Sequence, residues 1–232
     1  MNEYSSLKQE AYHANMQLPA QGLVIFTFGN ASVADRERSV FAIKPSGVPY
    51  NELEPGKMVV MDFEGNTVEG TLRPSSDART HALLYKHWKN IGAVVHTHSF
   101  YATAWAQALR EIPVYGTTHA DHFTGPIPCT MPMSDELIRG DYEYATGLQI
   151  IQYFQENNLN YEELEMILIG CHAPFTWGKS ASKAVHNSSL LEALARLALL
   201  TEQVNQDVKP IKNSLIKKHF ERKHGPDSYY GQ

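Results

Sequence analysis

The chain has 232 residues, two cysteines, and 20 lysines and arginines against 25 aspartates and glutamates, a net charge of −5. That acidic balance excludes a basic nucleic-acid binder, and two cysteines are too few for a disulfide scaffold. With 43% hydrophobic and 10% aromatic residues there is ample material for a buried core, which excludes global disorder and fits one globular domain over residues 1–232.

The spacing of Leu7, Ala11, Ala14 and Leu18 predicts a helix from Glu3 to Leu18, stopped by Pro19 and Gly22. Residues Met1 to Glu10 lack the basic start and apolar stretch of a secretory signal, so the expected setting is the cytoplasm. Leu23–Phe28, Val40–Ile43 and Met58–Phe63 are β-rich runs bounded by turn residues and predict successive antiparallel strands. Pro45-Ser46-Gly47 and Glu64-Gly65-Asn66 are the turns between them. Pro74-Ser75-Ser76-Asp77 opens a helix carrying Ala78, Ala82, Leu83 and Trp88, with a serine or the aspartate as its N-cap. Ile91–His98 predicts a buried strand, followed by a helix from about Tyr101 to Leu109. Met166–Cys171 predicts another strand, leading into His172, with Cys171 as a buried thiol. Helices are expected from Ser180 to Gln203 and from Ser214 to Lys223. Glu192 and Arg196 interrupt the most apolar stretch, Leu190–Leu200, which makes it an amphipathic helix and not a membrane span. The pattern as a whole predicts an α/β sandwich with a mainly antiparallel sheet.

Chemistry gathers at a few places. In His96-Thr97-His98 the two imidazoles stand two residues apart on a strand and share a face, within reach of one metal ion. His172 ends another apolar strand and is a candidate third ligand. Three neutral imidazoles describe an open catalytic zinc site better than a closed structural one. Gly29-Asn30, Ser46-Gly47 and Ser75-Ser76 are turns of small polar residues, the last at a helix start, and together with Lys44 they form a candidate phosphate cradle. Thr117-Thr118-His119-Ala120-Asp121 offers a carboxylate and an imidazole for acid–base work.

Taken in order, Phe28-Gly29-Asn30, Ile43-Lys44-Pro45-Ser46-Gly47, Pro74-Ser75-Ser76-Asp77, His96-Thr97-His98, Gly116 to Asp121, His172 and the ending Tyr229-Tyr230-Gly231-Gln232 resemble the L-ribulose-5-phosphate 4-epimerases of the class II aldolase/adducin superfamily. The resemblance covers essentially the whole chain. It implies a three-layer α/β sandwich, a mainly antiparallel sheet between helical layers, and a homotetramer with sites at subunit interfaces. It further implies zinc held by Asp77, His96, His98 and His172; nitrogen and oxygen donors of this kind also accept manganese or cobalt. Gly29, Asn30, Ser46, Gly47, Ser75 and Ser76 would hold a sugar phosphate, with Lys44 touching substrate. Asp121 and Tyr230 would transfer protons, the tyrosine reaching in from a neighbouring subunit, and Thr117, Glu143 and His219 match accessory positions. The activity implied is interconversion of L-ribulose 5-phosphate and D-xylulose 5-phosphate by cleavage and re-formation of C3–C4; relatives of this type serve arabinose, ascorbate or other pentose pathways. Rival readings are a fuculose-phosphate type aldolase, in which glutamate stands where this chain has Asp77, a non-catalytic adducin-like scaffold, and a structural zinc module.

Overall fold

The computed structural model describes residues 3–226, 228 and 229. Its centre is a seven-stranded sheet in the order β4-β3-β2-β1-β5-β7-β6, with every adjacent pair antiparallel. The strands are β1 (Asn30–Asp35), β2 (Val40–Ile43), β3 (Val59–Asp62), β4 (Thr67–Glu69), β5 (Ala93–His96), β6 (Met166–Leu168) and β7 (Pro174–Gly178). The helices are α1 (Ser5–Ala20), α2 (Ala78–His87), α3 (Phe100–Gln107), α4 (Thr117–Ala120), α5 (Asp135–Arg139), α6 (Tyr142–Glu156), α7 (Ala181–Val204) and α8 (Asn213–His224).

Strand alternation sorts the core onto two faces. Phe41, Ile43, Val59, Met61, Val94, Phe175 and Trp177 pack under α2 and α6, whereas Val40, Ala42, Val60, Ala93 and Val95 meet α1 and α7. A third cluster joins Trp105 of α3 and Leu191 and Leu194 of α7 to β6. This is the three-layer α/β sandwich with an antiparallel sheet that the sequence predicted. No helix of the described residues is long and apolar enough to cross a membrane.

Several expectations are corrected. Leu23–Phe28 is a loop, not a strand: Phe26 has φ of +54° and is 83% exposed, and the strand begins only at Asn30. Leu23 and Val24 of that run pack onto the α1 side of the core, and Phe28 lines a cavity instead of filling a sheet. β1 escaped notice because its sequence, NASVAD, is small and polar; Asn15 of α1 pairs with both the N–H and the C=O of Ala31 and so anchors it. The strand predicted over Met166–Cys171 ends at Leu168, and Cys171 sits exposed at φ +63° in the β6–β7 turn, so it is not a buried thiol. Asp77 occupies the N-cap position of α2, but its side chain makes no cap. Thr117–Ala120 forms a short helix. β7 and α6 were not anticipated. The α6 stripe of Ala145, Ile150, Ile151 and Phe154 is interrupted by Gly147, where an added Cβ would meet Leu83 of α2 at 3.0 Å.

Candidate active site

The site grows from the register of the sheet centre. Asn30 of β1 pairs with His96 of β5, which pairs with Phe175 of β7, so the three side chains form one row on the α2/α6 face. The His96 and Phe175 rings stack at 4.2 Å between centroids. β5 ends at His96, and His98 lies just beyond the strand, yet on the same side: the two Nε2 atoms are 3.1 Å apart. The tight β6–β7 turn brings in His172, whose ring centroid is 4.9 Å from that of His96 and 5.1 Å from that of His98. One donor atom from each of the three lies within 4.8 Å of the others.

The protonation chemistry suits a metal. Burial pulls His96 and His98 below the ordinary imidazole value, and burial together with the neighbouring His96 takes His172 down to about 4. All three are therefore neutral at pH 7, the form that ligates. His96 Nδ1–H donates to the carbonyl of Pro174 at 3.0 Å, leaving Nε2 as its free donor.

Asp77 is not among the three clustered donors. Its carboxylate accepts from the Asn30 amide at 2.7 Å and from the Ser75 hydroxyl at 3.4 Å. Burial works against its charge, but His96, His81, Asn30 and His172 outweigh that and hold its pKa below the ordinary value. Behind it, His81 is fully buried and kept neutral by desolvation, with a pKa of about 3; its Nδ1 meets Ser32 Oγ at 2.7 Å, and that hydroxyl meets Tyr85.

A cavity of about 360 Å³ opens in front of these residues. Gly29, Asn30, Lys44, Ser46, Gly47, Ser75, Ser76, Asp77, His96, His98, Glu143 and His172, all singled out in the sequence, line it together. Gly29 must be glycine: φ is +80°, and a Cβ there would meet Val24 at 2.7 Å and the His96 carbonyl at 3.0 Å. Tyr50 donates to the Gly29 carbonyl at 2.9 Å and fixes the loop from below. Lys44 is 2% exposed; among the described residues its Nζ meets only the carbonyls of Thr27 and Pro45, both at 3.4 Å, and the face of Tyr50 at 5.0 Å. Desolvation lowers its pKa to about 8. A buried cation that faces a cavity and is paired with no carboxylate among the described residues is a ready receptor for an anion.

The other predicted residues fall elsewhere. Asp121 does not line the cavity. It ends α4 and accepts from Arg222 Nη2 at 2.9 and 3.0 Å and from His219 Nδ1 at 2.9 Å, both on α8. Burial raises its pKa, but the bonds from His219 and Arg222 bring it below the ordinary carboxylate value. Thr117 opens α4 and accepts from the Asp121 N–H at 2.8 Å. Tyr230 lies outside the described residues. Sequence reasoning missed Tyr142, which lines the cavity and meets His172 Nδ1 at 3.2 Å. The α6 periodicity was the signal that could have found it.

A family model described as the class II aldolase and adducin N-terminal domain matches residues 9–199. The chain is 51% identical to the L-ribulose-5-phosphate 4-epimerase UlaF of Salmonella typhi and of Salmonella paratyphi A, over 97% of this chain and 98% of each relative. Among solved structures, an L-fuculose 1-phosphate aldolase superposes with a TM-score of 0.76 at 24% identity, covering 94% of this chain and 95% of its own. YgbL of Klebsiella pneumoniae, described as a putative aldolase/epimerase/decarboxylase, gives 0.70 at 23%, covering 92% and 97%. At those identities the structures speak for the fold alone. The sequence matches settle the family: this chain belongs to the class II aldolases and adducins.

Proposed function

We propose that the chain is an L-ribulose-5-phosphate 4-epimerase that interconverts L-ribulose 5-phosphate and D-xylulose 5-phosphate in pentose or ascorbate breakdown in the cytoplasm. The observation that carries this reading is that the three neutral imidazoles and the anion cradle open on one cavity. The identity with epimerases over nearly the full chain supports it.

The reaction dictates what the residues must do. In a 2-ketopentose the C4 hydrogen is not adjacent to the ketone, so simple enolisation cannot invert C4. Removing the C4 hydroxyl proton lets C3–C4 break, giving a dihydroxyacetone enediolate and glycolaldehyde phosphate. The aldehyde turns and re-adds through its other face. His96, His98 and His172, with Asp77 as the carboxylate beside them, would hold a divalent cation: zinc in this reading, with manganese or cobalt accepted by the same donors. When bound, such a cation supplies Lewis-acid stabilisation of the charge that develops at the ketone end. Gly29, Asn30, Ser46, Gly47, Ser75, Ser76 and Lys44 hold the phosphate and keep the two-carbon fragment from leaving while it rotates.

Two faces of the aldehyde require two groups at the C4 oxygen. We assign these to Asp121, kept ionised by Arg222 and His219 as a base requires, and to Tyr230. Because Asp121 lies off the cavity of its own chain, the reading has a neighbouring copy bring it in, within a homotetramer whose sites lie at subunit interfaces. Glu143 on the cavity wall, with Thr117 and His219 beside Asp121, serve as accessory groups.

Carbon NMR of L-ribulose 5-phosphate incubated with the zinc-loaded protein tests the proposal. D-xylulose 5-phosphate without free fragments is the expected product. Accumulating dihydroxyacetone and glycolaldehyde phosphate would replace the epimerase with an aldolase, and an unchanged spectrum would overturn both.

A further inference from the structure

The three histidines are not oriented by the same means. His96 is buried in the sheet and its Nδ1–H is committed to the Pro174 carbonyl, a rigid partner on the next strand. His172 has no such ladder. It follows Cys171, which is at φ +63° in the β6–β7 turn, so its backbone lies outside any strand, although its ring neighbours those of His96 and Phe175. Its Nδ1 meets one side chain, the hydroxyl of Tyr142, at 3.2 Å.

Tyr142 is itself held firmly. It is the first residue of α6, whose N-terminus is capped by Asp141, and its carbonyl accepts from Thr146 Oγ1 at 2.9 Å. Thr80 of α2 donates to the carbonyl of the next residue, Glu143, at 2.5 Å. Gly147 lets α6 lie against α2, because a side chain there would press on Leu83. The helix that begins at Asp77 therefore also fixes the tyrosine that meets His172.

The hydrogen bond between His172 and Tyr142 has two possible senses. If the phenol donates to Nδ1, the proton of the neutral imidazole stays on Nε2 and that nitrogen cannot ligate. If Nδ1–H donates to the phenol oxygen, Nε2 presents its lone pair. On the reading that these histidines bind a metal, we propose that Tyr142 is a positioning residue for the centre: its hydroxyl accepts from His172 Nδ1–H and so fixes both the tautomer and the ring plane of a ligand that the sheet does not hold. Partners of this kind, standing behind a metal-bound imidazole, typically contribute a factor of 10 to 100 in metal affinity.

Tyr142→Phe keeps the ring and removes only the acceptor. With wild type and variant folded, as judged by circular dichroism, zinc affinity is measured by competition with a chromophoric chelator, and the cobalt-loaded proteins are compared by proton NMR. The variant should bind zinc roughly 10- to 100-fold more weakly, and the exchangeable His172 Nδ1–H resonance of the cobalt form should vanish or exchange faster, while that of His96 stays. In the wild type the same resonance should show a nuclear Overhauser contact to the Tyr142 ring, a measurement that needs no variant. Unchanged affinity with an unchanged His172 resonance would overturn the assignment to Tyr142 and leave the metal reading standing. Failure of the wild type to bind zinc or cobalt at all would overturn the metal reading and this inference with it.

Discussion

The three-histidine cluster and the Asp121 cluster both combine imidazoles with a carboxylate, yet the chain holds them by opposite means. The first stands at the centre of the sheet, where cross-strand register places His96 between Asn30 and Phe175 and neighbouring rings stack. The second joins α4, four residues long, to α8, in which Ile216 is the buried residue. Among the described residues the apolar cluster there consists of Val114, Ala120 and Ile216, with Ile211 beside them. Polar bonds do the rest: one carboxylate accepts from Arg222 and His219, and the Asp121 carbonyl receives His224. The half proposed to bind metal is thus pre-organised by the core, whereas the half proposed to transfer protons depends on a charged contact with α8. Breaking each half should therefore give different signatures.

The largest effect is expected at the sheet. His96→Asn or His98→Asn should lose bound metal and cut turnover by roughly 10³-fold or more, the equivalent of several kcal/mol of Lewis-acid stabilisation. Metal analysis alongside the assay checks this, and a variant that kept its metal and its turnover would contradict it. At the other cluster, Asp121→Asn should keep the metal, slow turnover by roughly 10²-fold, and speed hydrogen exchange across α8, because Arg222 loses its ion pair. Tyr230→Phe should also keep the metal and slow turnover, without the change in α8 exchange. The Asp121 pKa is lowered on folding, so its contribution to holding α8 is complete above the ordinary carboxylate value and fades as pH falls below it.

Lys44 gives the next smaller effect. Lys44→Met should raise KM for the phosphorylated sugar by roughly 10- to 100-fold, the scale of a lost hydrogen bond to a charged group, with little change in kcat. In the native chain the amine is protonated below about pH 8 and loses its proton as pH rises through that value, so KM should be flat below pH 8 and climb above it. The sign for stability is opposite. Above that pH the unfolded chain, with an ordinary lysine, binds more protons than the folded one, so burial of Lys44 costs less as pH rises. The smallest effect is expected for Gly29→Ala, which forces a left-handed residue against Val24 and the His96 carbonyl. It should destabilise the fold by about 1–3 kcal/mol, seen as a lower Tm, and should weaken phosphate and metal binding together, because the cradle loop rests on the strand that carries His96.

The same contrast explains what could be read from the chain. β2 and β3 were legible because Val-Phe-Ala-Ile and Val-Val-Met alternate cleanly between two apolar faces. The histidine pair and the cradle turns were legible because their chemistry is local: a spacing of two, or small residues at a turn. β1 was not, since its sequence carries few large apolar residues and its start is fixed by the Asn15 side chain of α1, a bond that no local pattern announces. The run before it, Leu23–Phe28, has strand composition but leaves Phe26 exposed and places Phe28 on the cavity wall, 5.9 Å from the His98 ring. The role of Asp77 in the fold was misread for a similar reason: its carboxylate turns from the helix N–H groups to Asn30 across the site. The α6 stripe could have placed Tyr142 on a buried face, but its partner, His172, is 30 residues away, so no local spacing links the two.

The central claim is that C4 is inverted by breaking its bond to C3, with the C4 hydrogen never leaving carbon. The most direct test is to supply L-ribulose 5-phosphate carrying deuterium at C4 and to measure the label in D-xylulose 5-phosphate formed in ordinary water. The account predicts complete retention of deuterium at C4, with turnover abolished in His98→Asn. Wash-out of the label into solvent would mean that C4 is deprotonated directly, and would contradict the account.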